Sequence, residues 1–167
     1  MTNLPSLSAK VDHQAGRLDS WVSSRQSAWK FGNTDRTTTT LSDDPDLQVQ
    51  LNANTVYRVT SLWVYVCAAD NVDLNIGFDV PSGSDGRWGG PYNRAEDSIV
   101  HFDGKTWGQT YHIHCGAANE GVAFVTGTLW TTSAGTLAVF WGQLGASATP
   151  TTIKLGSYLD VTRIGDN

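Results

Sequence analysis

The chain has 167 residues, a formal net charge of −5, sparse charged residues (16%) and seven tryptophans. That length fits one domain plus an extension, large enough to bury a core without help from a metal. The acidic balance argues against a nucleic-acid partner, which needs clustered Lys and Arg. No window is apolar for long enough to cross a membrane as a helix, and no positive segment followed by an apolar one marks a secretory signal at the N-terminus.

Leu4, Leu7, Val11, Leu18 and Trp21 recur at three- and four-residue spacings with polar residues between them. This spacing predicts an amphipathic helix from about Ser6 to Ser24, with Pro5 and Ser6 at its start. So short a helix is unstable alone, so it docks on its own domain, on copies of itself or on a foreign surface. Residues 1–32 are therefore expected to form an N-terminal helical arm, and residues 33–167 a β-sandwich domain. Trp29 and Phe31 join Leu7, Val11, Leu18 and Trp21 as candidate interface residues of the arm.

Phe31 to Asp46 read as a polar connector. Its acidic cluster Asp43, Asp44 and Asp46 around Pro45 suggests a solvated turn; a calcium site would need several converging oxygens. Strict alternation then predicts strands at Leu47–Leu51, Thr55–Ala68 and Val72–Val80. Residues 81–97 are rich in Gly and Pro and read as a long loop, with Trp88 and Tyr92 either contact aromatics or caps on the sandwich end. Further strands are expected at Ser98–Phe102 and Thr106–Cys115, with a turn at Asp103-Gly104-Lys105.

Val122–Trp130 and Thr136–Trp141 alternate with a polar break at Thr131–Gly135, which predicts a central hairpin. Both of its faces carry apolar residues, as expected of a strand pair packed on a second sheet or a neighbouring subunit. Thr151–Leu155 and Tyr158–Ile164 complete about eight strands, a pattern that fits an all-β antiparallel sandwich of jelly-roll type. Cys67 and Cys115 end apolar strands and read as buried free thiols, with a disulfide open.

Signals of chemistry are few. His112 and His114 share one face of a strand, as two ligands of one metal would. With Glu120 and Gly127 they look like a degraded first cupin motif. The spacing to Glu120 is too long, however, and no His follows His114, so no metal, cofactor or catalytic residue is expected. No phosphate loop, nucleophile elbow or distinctive carboxylate pair occurs.

The runs Thr34–Leu47, Leu51–Tyr57, Gly127–Leu129, Ser133–Leu137, Trp141–Gln143, Thr151–Ile153 and Gly156–Leu159 resemble a β-sandwich domain found in structural proteins of tailed bacteriophages, notably those infecting actinobacteria. The resemblance covers about residues 33–164. It implies a virion structural protein without enzymatic activity: a capsid decoration (cement) protein or a minor tail or fibre protein, often trimeric. The short chain favours a decoration protein on the capsid surface, with the major capsid protein as partner and a homotrimer as its form, and with neither nucleic acid nor membrane. A receptor- or carbohydrate-binding module is the second reading, through exposed tryptophans, and a cupin-like metalloenzyme the third.

Overall fold

A computed structural model describes residues 24–67, 72–93, 100–114 and 120–166, the side chains of 92, 93 and 100–103 excepted. These residues form twelve antiparallel strands: β1 (Arg25–Trp29), β2 (Thr34–Arg36), β3 (Ser42–Leu51), β4 (Thr55–Val66), β5 (Leu74–Asp79), β6 (Asp85–Asn93), β7 (Val100–Thr106), β8 (Thr110–Ile113), β9 (Glu120–Thr131), β10 (Gly135–Gln143), β11 (Thr151–Ile153) and β12 (Tyr158–Asp166). They build a two-sheet sandwich. The larger sheet runs β1-β12-β4-β9-β6-β7, with β11 pairing β4 and β2 pairing β11; the smaller runs β3-β10-β5-β8.

The alternation in the sequence becomes the two faces of each sheet. Tyr57, Val59, Trp63 and Tyr65 of β4 point inward with Ala123, Val125 and Leu129 of β9. They meet Leu47, Val49 and Leu51 of β3, Leu137, Val139 and Trp141 of β10, Leu74, Ile76 and Phe78 of β5, and Tyr111 and Ile113 of β8. Aromatic rings fill one end of this core. Trp88 packs edge-on to Phe78 and Tyr111, with ring centroids 5.0 and 4.7 Å away, and Trp63 lies 5.5 Å from Phe78.

Several expectations are corrected here. Val122–Trp130 and Thr136–Trp141 do not pair as a hairpin. β9 pairs with β4 and β6, whereas β10 pairs with β3 and β5, so the polar break at Thr132–Ala134 carries the chain from one sheet to the other. Residues 85–93 are a strand, not a loop, and Trp88 is a core residue, 2% exposed, rather than a contact aromatic. Tyr92 lies in the same strand opposite His101, and its side chain falls outside the described set. Strand β7 runs straight through the turn expected at Asp103–Lys105; the bend comes at Trp107-Gly108, where Gly108 has φ +84°. Gly127 explains how a tryptophan fits on β6. It stands opposite Trp88, and a Cβ there would lie 2.6 Å from the Arg87 carbonyl oxygen and 2.7 Å from the Trp88 Cβ.

The expected arm divides. Leu7, Val11, Leu18, Trp21 and the helix predicted over Ser6–Ser24 lie outside the described residues. Arg25–Trp29, by contrast, is an edge strand of the large sheet, paired in register with Tyr158–Thr162 of β12.

Cys67 is not a free thiol. It is fully buried and disulfide-bonded; the other cysteine in the sequence is Cys115, outside the described residues. Reduction is expected to lower the unfolding free energy by about 2–4 kcal/mol, read as an earlier midpoint in urea titrations with reductant than without.

Candidate functional site: the outward face of the large sheet

Facing away from the core, the small sheet is polar. It presents Gln48, Gln50, Asp79 and His112 to solvent, and Gln50 Nε2 donates to Thr136 Oγ1 at 2.8 Å. Large sheets with one wet face normally show the same alternation. The outward face of this one does not. Cross-strand register aligns Trp29 of β1, Tyr158 of β12, Leu62 of β4 and Phe124 of β9 in one row across four strands. In the neighbouring row Val64 stands opposite Val122.

These side chains are accessible. Trp29 is 49% exposed, Phe124 41% and Val122 60%; Phe31, two residues after Trp29, and Leu155, three before Tyr158, are exposed as well. The Trp29 and Tyr158 rings lie 5.5 Å apart and tilted at 41°. A contiguous apolar band of this kind marks a contact surface, because scattered single hydrophobes would not line up by register.

Below the band the face turns polar. Arg25 Nη2 donates to Asp160 Oδ2 at 2.5 Å, and the Ser27 hydroxyl bonds the other oxygen of the same carboxylate. Ser24, Arg25, Arg58, Thr60, Asp160 and Thr162 line a depression of about 340 Å³. Segment 1–23 therefore joins the sandwich at the margin of this same face. Two of the arm's candidate residues, Trp29 and Phe31, sit in or beside the band. Sequence reasoning missed Leu62, Val122, Phe124, Leu155 and Tyr158. The signal for the two on β9 was present, since that strand is apolar on both faces, and it was read as packing on a second sheet or a neighbouring subunit without singling out Val122 and Phe124.

The seam between the sheets is held by a buried charge cluster. Asp44, expected in a solvated turn, is 0% exposed. Lys30 Nζ lies 3.0 and 3.1 Å from its two oxygens and 2.9 Å from Asp46 Oδ2, and also bonds Thr34 Oγ1. Beside it, the Arg36 guanidinium stacks 4.2 Å from the centre of the Trp141 ring and donates to the carbonyls of Ser42, Asp43 and Trp141. Burial pushes this guanidinium below its ordinary value, and Asp44 and Asp43 pull it back up.

Among the described residues the two histidines gain no third ligand. His112 faces solvent, and His114 Nδ1 lies 2.9 Å from Asp73 Oδ1. Among the described residues no group of three His, Cys, Asp or Glu is placed to hold a metal ion.

No protein-family model matches the chain, and no curated protein matches it. Among solved structures it is similar to a chain from a structure of infectious bursal disease virus, Gx strain, at 9% identity and a TM-score of 0.28. That match covers 86% of this chain and 40% of the other, so the chain spans about two-fifths of its length. A likeness of this size carries no argument about role.

Proposed function

We propose that the chain is a structural protein of a bacteriophage virion: a decoration protein that sits on the capsid surface as a homotrimer and stabilises the shell. The observation that carries this reading is the apolar band on the outward face of the large sheet, the face whose polar end Ser24 and Arg25 line. It supports a protein that works by burying surface against neighbours rather than by turning over a substrate.

Three further features support it. Strands β3 to β10 alternate so that one sheet reads 3-10-5-8 and the other 4-9-6-7. We read this order as the two interlocked Greek keys of a jelly roll, an architecture shared by viral capsid proteins, lectins and cupins. Because fold alone does not give function, the resemblance of residues 33–164 to phage structural proteins narrows the choice. The Cys67 disulfide suits a particle exterior, where oxidising conditions keep such bonds closed.

The mechanism is one of area and number. A standard interface buries about 1,600 Å², and repetition at symmetry-related sites clamps neighbouring capsomers even where each contact is modest. Three linked arms bind far more tightly than one.

Antibody labelling of purified particles tests the reading. Label over the heads is expected; label confined to the tails assigns the protein there instead. Light scattering of the isolated protein is expected to give three chain masses. Replacing Val122 and Phe124 with Glu is expected to leave the strand content by circular dichroism unchanged, because both side chains already face solvent, while abolishing assembly or head binding.

A further inference from the structure

We propose that Lys30 and Asp44 join in an intramolecular amide bond, with Asp46 carrying the protons. The reactants are already held together. Lys30 Nζ lies 3.0 and 3.1 Å from Oδ1 and Oδ2 of Asp44, in contact with both oxygens of the carboxyl group it attacks, and reactants held together in this way react as an effectively unimolecular pair. Both side chains are fully buried, so bulk water does not come between the amine and the carboxyl group.

The surroundings supply the remaining parts. The backbone N–H groups of Asp46 and Leu47 donate to Asp44 Oδ1 at 3.0 and 3.3 Å, and Trp141 Nε1 donates to Oδ2 at 3.0 Å. Fixed donors of this kind stabilise the oxyanion of an acyl-transfer intermediate. Asp46 Oδ2 lies 2.9 Å from Lys30 Nζ, and its side chain is 29% exposed, so it links the buried pair to solvent.

The step balances without any co-reactant. A proton passes from the Lys30 ammonium to Asp44 Oδ2. The freed amine attacks Cγ; the new C–N bond forms and negative charge collects on Oδ1. Asp46 takes a second proton from the nitrogen and delivers it to the departing hydroxyl. The Cγ–Oδ2 bond breaks and water leaves. Of the three ammonium protons, two depart in the water and one remains as the amide N–H; nothing is oxidised or reduced.

The bond would fasten the two sheets where the arm pulls. Lys30 follows β1, an edge strand of the large sheet, and Asp44 lies in β3, an edge strand of the small one. Load applied through segment 1–23 reaches β1 first, and the amide passes it to the opposite sheet.

Intact mass of the reduced, denatured full-length protein tests the proposal. The expected mass is one water below that of the sequence. A tryptic digest is expected to contain a branched peptide joining Lys30 to Asp44, with no cleavage after Lys30. Lys30→Met and Asp44→Ala are expected to restore the full mass, and Asp44→Asn to reach the wild-type product by losing ammonia. Asp46→Asn is expected to fold yet close slowly, so that uncyclised chain accumulates. A wild-type protein that keeps its full mass after prolonged incubation in the folded state, with Lys30 cleaved normally, overturns the proposal. So does a water deficit that maps elsewhere. Closure of Asp46→Asn at the wild-type rate removes Asp46 from its role.

Discussion

Trp88→Ala is expected to lower the unfolding free energy by about 3–5 kcal/mol, the cost of emptying a large aromatic site in a packed core. Trp88 touches four other aromatic residues: Trp63, Phe78, Trp107 and Tyr111. Its indole N–H donates to the Thr106 carbonyl at 3.2 Å, across the β6–β7 pair. The ring thus ties β6 to β7 within the large sheet and plugs the space beneath β5 and β8 of the small one. Gly127, opposite Trp88 on β9, has no side chain that could fill the void. Urea titration followed by tryptophan fluorescence and circular dichroism checks the value. A loss below 1 kcal/mol would mean that the aromatic cluster does not hold the sandwich together as described.

Lys30→Met is the second large effect, also about 3–5 kcal/mol, because it strands a buried carboxylate. Asp44 sits in the seam without solvent, and Lys30 supplies the partner that offsets its burial, as a cation before the amide closes and as the amide nitrogen after it. Asp44→Leu in the Lys30→Met background is expected to recover part of the loss, since an apolar pair no longer carries an uncompensated charge. Recovery stays incomplete. Asp44 also accepts from the backbone N–H groups of Asp46 and Leu47 and from Trp141, and those donors lose their partner. Thermal melts of the single and double variants separate the two contributions; equal melts for wild type and Lys30→Met would contradict the account of the seam.

Much of the sandwich was legible because period-two alternation is a direct consequence of one buried face. β4 and β5 read cleanly for that reason, with Trp63 and Phe78 on the inward side of each. β6 was hidden by composition. Gly86, Gly89, Gly90 and Pro91 are poor strand formers, yet Pro91 lies beyond the stretch that pairs with β9, so its missing N–H breaks no ladder on that side. β1 was hidden because Gln26, Ala28 and Lys30 make an inward face too polar to look buried, and its burial depends on Asp44, a partner distant in sequence. The supposed hairpin at Val122–Trp141 failed for another reason. A short polar turn shows that the chain reverses but not whether the return strand pairs with its neighbour or crosses to the opposite sheet.

The interface was legible only in part. Trp29 and Phe31 drew attention as aromatics outside the strongest strand pattern. The row that Trp29 forms with Tyr158, Leu62 and Phe124 exists only through strand register between segments far apart in the chain. No local pattern encodes it. The place to cut the arm also changes with the structure. Removing the expected arm, residues 1–32, would delete β1 and Lys30, whereas removing 1–23 leaves every described strand in place.

Co-sedimentation of the purified protein with phage heads that lack it, for the full chain and for residues 24–167, tests the central claim most directly. The account predicts saturable binding of the full chain at a fixed ratio to the major capsid protein. It also predicts that the truncated chain stays in the supernatant while remaining folded by circular dichroism. Equal binding by both forms would take the attaching role from the arm, and no binding by the full chain would contradict the capsid-surface reading itself.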